Sequence, residues 1–453
     1  MEVWKYGSEG DLPMPPHPHT PTLPYSHTPL HLKPMHYFEY KNNILYGEEV
    51  PIEKIVEAVG TPVYIYSRRT LIRHYRAFDS AFQEVPHMVC FAMKANSNLA
   101  VLKVLADEGS GADIVSGGEL YRCLKAGIPA SKIVFSGVGK TRKEIEEALQ
   151  AGILSFNVES PQELAFIDQI AGEFHRKAPI SPRINPDVDP KTHPYISTGL
   201  RENKFGISMS VALDMLKSIK DYPNIQVVGV SSHIGSQITK IQPFLDALEK
   251  LLSFVEEVRN MGLDIKYMDI GGGLGIRYRD ESPPHPRELG EVLVPMMKKA
   301  PYTFIFEPGR VIVGNAGILV TRVLYDKINE GKHFKIVDVA MNDLVRPSLY
   351  GSYHEIIPVV KRERPLIKAD VVGPICESGD FMAKNRELPD VQPGELLALM
   401  SAGAYGFVMS SNYNSRPRVP EVLVDGDSFH IVRRRERYED LIAGEEIPQF
   451  HKV

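Results

Sequence analysis

The sequence predicts an α/β protein: a closed (β/α)8, TIM-like barrel and a mainly β C-terminal domain that also takes in a strand segment near the N-terminus. Three observations predict it. Between residues 60 and 310, short strand-like runs alternate regularly with amphipathic helical stretches, a pattern that demands parallel strands joined by crossover helices. After residue 310 the pattern changes to short runs rich in β-branched residues. The polar motifs fall at the carboxyl ends of the first set of runs, the rim where barrels build their active sites.

Met1 to His36 is rich in Pro and His, with Pro15-Pro16-His17-Pro18-His19 at its centre. It lacks the apolar stretch of a secretory signal and reads as a flexible arm, residues 1–36. Tyr37–Leu45 is strand-like, with Asn42-Asn43 as a turn, and residues 37–60 are assigned to the β domain. The barrel is assigned to 61–310, opening with a helix over Ser67 to Gln83. Its strands are Met88–Met93, Ala112–Val115, Ile133–Ser136, Ser155–Val158, Ser181–Asn185, Val227–Ser232, Tyr267–Ile270 and Thr303–Phe306. Eight units over about 220 residues fit a closed barrel; an open sheet would be unusually wide. The C-terminal β domain, 311–453, carries Gly317–Tyr325, His333–Val339, Leu366–Val372, Glu395–Met400 and a hairpin over Val422–Val432 with Asp425-Gly426 as its turn.

Composition narrows the function classes. The chain has 453 residues, 43% hydrophobic and 24% charged, with a net charge of -5. That is ordinary globular composition, with no basic footprint for nucleic acid. No apolar run approaches the roughly 18 residues of a membrane span. Cys90, Cys123 and Cys376 are odd in number and far apart, which argues against a disulfide framework and fits a reducing cytoplasm.

The chemistry starts at Lys94, where the apolar run from His87 ends on an amine. An ammonium there costs several kcal/mol unless paired or neutralised. A lysine whose charged form is disfavoured is a better nucleophile toward a carbonyl; the plain alternative is a lysine snorkelling at a strand end. Asp113 lies in the second strand, and His233-Ile-Gly-Ser236-Gln237 follows the sixth. His233 reads as an acid, a base, a stacked ring or a core histidine. Gly271-Gly272-Gly273-Leu-Gly275 offers backbone N–H groups suited to a phosphate, or a tight turn. Its spacing is not that of a dinucleotide fold. Glu307-Pro308-Gly309-Arg310 follows the eighth strand; Glu307 reads as a base, a partner for a ring nitrogen, or a salt bridge to Arg310. A second cluster lies in the β domain: Arg346, Tyr350, Cys376-Glu377-Ser-Gly-Asp380 and Tyr405.

With these motifs in hand, the chain resembles the diaminopimelate decarboxylases of the alanine-racemase-like, fold type III group of pyridoxal-phosphate enzymes. The likeness runs from about residue 37 to 443 and rests on Phe91-Ala-Met-Lys94-Ala-Asn-Ser-Asn98, the His233, Gly271 and Glu307 motifs, Met341-Asn-Asp-Leu-Val-Arg346-Pro-Ser-Leu-Tyr350, Cys376-Glu-Ser-Gly-Asp380 and Tyr413-Asn-Ser-Arg-Pro-Arg418. The resemblance implies pyridoxal 5'-phosphate as cofactor, no metal, and decarboxylation of meso-2,6-diaminopimelate to L-lysine and carbon dioxide, the last step of lysine biosynthesis. It implies that Lys94 holds the cofactor covalently and that His233 stacks on its ring. Glu307 pairs with the ring nitrogen. Gly272, Gly273 and the backbone of Pro308, Gly309 and Arg310 hold the phosphate with Tyr405, and Asp113 and Ser236 are further cofactor contacts. Cys376 delivers a proton to the reacting carbon, as a mostly protonated thiol can. At the substrate's far end Arg310, Arg346 and Tyr350 take the carboxylate and Glu377 takes the ammonium, with Tyr405 a further substrate contact. Cys376 and Glu377 reach into a partner subunit, so a cytoplasmic homodimer is implied. An ornithine- or arginine-type decarboxylase, an alanine racemase (which typically sets Arg, where this chain offers Glu307, against the ring nitrogen) and a non-catalytic carrier of the same cofactor are the competing readings.

Overall fold

The computed structural model describes residues 35–189 and 203–450; the predicted Pro/His arm, but for Met35 and His36, lies outside them. Eight parallel strands close into a barrel: His87–Ala92, Gly111–Ile114, Ile133–Phe135, Ser155–Val158, Ala178–Ile184, Gly229–Ser232, Tyr267–Asp269 and Thr303–Phe306. The fourth pairs with the fifth and the eighth with the first, which leaves no edge among these eight. Burial on both faces explains the near-continuous apolar runs: all residues of Gly111–Ile114, Ile133–Phe135 and Ser155–Val158 are buried. The intervening helices are set by their caps. Ser116, Thr141 and Ser160 each accept the N–H three residues on, Thr141 within a capping box with Glu144. Gly127 and Gly152 close two of these helices in the left-handed conformation.

The β domain is built on one sheet ordered Phe381–Pro389, Leu366–Val372, Lys332–Val337, Gly317–Asn329, Val63–Ser67, Glu421–Asp425 and Ser428–Arg433, with Leu396–Leu399 also paired to Gly317–Asn329. The N-terminal strand that enters it is Val63–Ser67, antiparallel to Gly317–Asn329 and parallel to Glu421–Asp425. The stretch Tyr37–Leu45, assigned to that sheet from sequence, instead forms a hairpin in a three-stranded sheet with Val50–Pro51. The Ile44–Val360 bridge, the Leu45 N–H to Val359 carbonyl bond and the Lys361 N–H to Asn43 carbonyl bond tie it to the large domain's backbone. Asn42 and Asn43 do make its turn, both at positive φ. In the late hairpin Asp425 pairs with Ser428, so the turn residues are Gly426 and Asp427, with Gly426 at φ 63 rather than Asp425 in the turn. Phe381–Pro389 was not expected as a strand; its Lys384, Asn385, Arg386 and Glu387 are the polar residues of a guarded sheet edge. Among the described residues no helix is long and apolar enough to cross a membrane.

Candidate active site

The first strand ends in a short helical turn, Met93–Ala95, which carries Lys94. The turn is pinned from the β domain: Tyr405 N–H donates to Ala95 O at 2.8 Å, and Asn96 Nδ2 to Gly403 O at 3.0 Å. Asn98 caps the next helix and donates to Glu421 Oε2 at 2.9 Å. The asparagines of the lysine motif are therefore structural; they lock the barrel rim to the second domain.

Around Lys94 the barrel gathers four ionisable side chains from neighbouring strand ends. Lys94 Nζ lies 2.6 Å from Asp113 Oδ2, on the adjacent strand. Burial lowers the lysine's pKa, but the charges of Asp113 and Glu307 more than offset this and raise it. This corrects the sequence-based premise that the charged form would be disfavoured: the charge is paired rather than shed. Burial first, and the Glu307 charge second, push the Asp113 carboxyl up. Asp113 Oδ2 is the hydrogen-bond acceptor of the Lys94 amine.

Glu307 follows the eighth strand and is buried. Burial opposes its ionisation, yet bonding to His233, the Lys94 charge and contact with Asp269 hold its carboxyl down at about 2. Asp269 moves the other way: burial, then the Glu307 charge, drive it well above the usual carboxylate range. The two carboxyls are thus pushed apart, Asp269 up and Glu307 down. Asp269 was missed in the sequence because it sits inside the apolar run Tyr267–Ile270. The Glu307 partner is His233, whose Nδ1 is 3.6 Å from Oε2, rather than Arg310. The Gly272 N also lies 3.1 Å from this Nδ1, and burial, the largest cause, lowers the ring's pKa while Glu307 opposes it.

The glycines are demanded by close approach. A Cβ on Gly272 would stand 1.9 Å from Glu307 O, and one on Gly273, at φ 110, would stand 2.3 Å from Gly235 O. Gly272 holds the His233 ring, while Gly273 faces a cavity of about 460 Å³ that also opens onto Lys94, His233, Glu307 and Gly309.

From the other side the cavity receives Arg310, Arg346, Tyr350 and Tyr405. Arg310 and Arg346 are buried at 6% and 5% exposure. Arg310 Nη2 donates to Ser236 Oγ at 3.2 Å, and its guanidinium sits 4.7 Å from the Tyr405 ring centroid. Arg346 Nη1 lies 3.0 Å from His354 Nε2. Of the residues predicted for cofactor and distal carboxylate, Asp113, Gly272 and Pro308 do not line this cavity, whereas Lys94, His233, Ser236, Gly273, Glu307, Gly309, Arg310, Arg346, Tyr350 and Tyr405 do. Cys376 and Glu377 do not join them. Cys376 is an exposed thiol rather than a core residue, and neither it nor Glu377 lines the cavity. Asn414 Oδ1 accepts its N–H at 2.9 Å, and Asp380 braces the loop by accepting from Ile375 and Met341.

The donor set fits pyridoxal phosphate. An amine faces the cavity, a buried carboxylate held low suits a protonated ring nitrogen, an imidazole offers a flat face, and the Gly273 turn leaves room for a phosphate.

His354 sets an acid limit on this arrangement. Burial, then Arg346, lower its pKa to about 3. An unfolded histidine protonates below about 6.5. Between those values the unfolded chain binds more protons, so stability falls as pH drops through this window. The melting temperature is expected to decline from pH 7 to pH 4, and more steeply in the wild type than in His354→Gln, as scanning calorimetry would read.

Barrel, amine and carboxylate together define a pyridoxal-dependent decarboxylase. Residues 68–314 match the family described as pyridoxal-dependent decarboxylase, pyridoxal binding domain. The chain is 52% identical to the diaminopimelate decarboxylase of Haemophilus influenzae over 90% of this chain and 99% of that one. Against the Vibrio cholerae enzyme of the same name it is 52% identical over 91% and 99%. A crystal structure of diaminopimelate decarboxylase from Helicobacter pylori, complexed with L-lysine, superposes with a TM-score of 0.84 at 43% identity, covering 86% of this chain and 98% of that one. The chain belongs to the diaminopimelate decarboxylase family.

Proposed function

We propose that this protein decarboxylates meso-2,6-diaminopimelate to L-lysine and carbon dioxide, working as a cytoplasmic homodimer whose pockets are completed across the interface. The observation that carries the substrate choice is the pair of buried guanidiniums, Arg310 and Arg346, opening on the same cavity as Lys94. A substrate with an amino acid group at each end matches both features. Ornithine or lysine would leave the guanidiniums unmatched, a penalty of several kcal/mol.

Bound pyridoxal phosphate supplies the electron sink for the carbanion left when carbon dioxide departs. Lys94 would hold the cofactor through its amine, with Asp113 Oδ2 within hydrogen-bond reach of that nitrogen. His233, held by Gly272, would support one ring face. Glu307 would keep a proton on the ring nitrogen, its own carboxyl held low by His233 and Lys94. Arg310, Arg346 and Tyr350 grip the distal carboxylate and so orient the reacting end. The carbanion needs one proton, which the Cys376 thiol of the partner subunit delivers, while Glu377 of the partner subunit pairs with the distal ammonium. The exposure of Cys376 and Glu377, outside their own chain's cavity, supports this sharing.

Mixing two inactive variants tests it. Lys94→Ala and Cys376→Ala lie in different halves of a shared site, so random exchange restores one intact site in half of the dimers, about a quarter of wild-type activity. Mixtures that exchange subunits, as native mass spectrometry reads, yet recover nothing would contradict a shared site.

A further inference from the structure

The two guanidiniums share a third residue. Tyr278, on the loop after the seventh strand, also lines the cavity. Arg310 Nη1 donates to its phenol oxygen at 2.7 Å. The guanidinium carbons of Arg310 and Arg346 lie 5.8 Å and 4.8 Å from its ring centroid. Among the described residues no carboxylate lies within ion-pair distance of either arginine. Two buried like charges with no carboxylate partner repel one another and lose hydration. Something must hold them apart and oriented, and the ring does so with its oxygen on one and its face toward the other.

His354 completes the arrangement. Its Nδ1 is 2.9 Å from Met400 O, which can only accept, so the hydrogen sits on Nδ1 and the Nε2 lone pair faces Arg346 Nη1. Its ring meets Tyr278 edge-on, centroids 5.5 Å apart at 80°. Burial would raise the phenol's pKa, but the flanking Arg310 and Arg346 more than offset it and lower it, as expected for an oxygen that stands among cations.

We propose that Tyr278 is a specificity-determining positioning residue, whose phenol oxygen and ring face keep Arg310 and Arg346 spread as an open fork before a substrate carboxylate arrives. This rests on the reading that those arginines take the distal carboxylate. It adds that their geometry is set in advance, so that binding a carboxylate does not also have to order two long side chains.

The test compares two competitive ligands of the holoenzyme. L-Lysine keeps the distal amino acid end; 1,5-diaminopentane has the same carbon chain without its carboxylate. In Tyr278→Phe the inhibition constant of L-lysine is expected to rise about tenfold and that of the diamine to stay within about twofold. The KM for meso-diaminopimelate should rise with it, the loss falling on KM more than on kcat. Retention of the cofactor's visible absorbance confirms that the barrel is intact. A variant that weakens both ligands alike, or neither, would overturn the positioning role. A wild type that holds the diamine as tightly as L-lysine would instead overturn the assignment of the arginines themselves.

Discussion

Lys94→Ala is expected to lose both decarboxylation and covalent capture of the cofactor, with activity down by about 10⁴-fold or more, the scale seen when a covalent group is removed. The geometry explains why no neighbour substitutes. The Lys94 amine opens on the cavity with Asp113 at 2.6 Å. The carboxylates that raise its pKa are buried and fixed by the barrel, so removing the amine leaves Asp113 without its cation. Burial of that unpaired charge should push the Asp113 carboxyl further up. Lys94→Arg keeps the cation and should keep the fold, but it cannot bond to a carbonyl at neutral pH. Borohydride reduction followed by peptide mapping reads the outcome: label on the Lys94 peptide of wild type, none in either variant.

Cys376→Ala is expected to keep the cofactor and lower kcat by about 10²–10⁴-fold, the usual contribution of a positioned proton donor. The thiol's place outside its own chain's cavity makes this a demanding test, since a surface cysteine should tolerate alanine within about 0.5 kcal/mol of stability. A large fall in kcat with an unaltered melting temperature and cofactor band separates a chemical role from a structural one. Full activity in the variant would remove Cys376 from the reaction.

Much of the molecule was legible because its signals are local. The eight barrel runs could be read in order because each is short and several are followed by helices with side-chain caps. Lys94, Glu307 and His233 stood out as polar residues at the ends of such runs. What escaped depends on distant partners. Val63–Ser67 looks like a lead-in to the following helix; only pairing with Gly317–Asn329 and Glu421–Asp425, hundreds of residues away, makes it a central strand. Tyr278 sits between Arg277 and Arg279 and reads as a solvated loop until Arg310 and Arg346 close on it. The charge state of Lys94 was misjudged for the same reason. Burial could be inferred from its own segment, whereas the compensating carboxylates arrive from the second and eighth strands. Asn96, Asn98 and Asp380 belong to motifs that look chemical, yet their bonds show them bracing the loops that carry the chemistry.

The most direct measurement is carbon dioxide release by the pyridoxal-phosphate-loaded protein offered meso-2,6-diaminopimelate, L-lysine, L-ornithine and L-arginine in parallel. The proposal that Lys94 carries the cofactor and that Arg310 and Arg346 take a second carboxylate predicts turnover of the first, with kcat/KM above each of the others by about 10³-fold or more. Equal or faster release from a substrate with a single carboxylate, or none from any of the four despite bound cofactor, would contradict it.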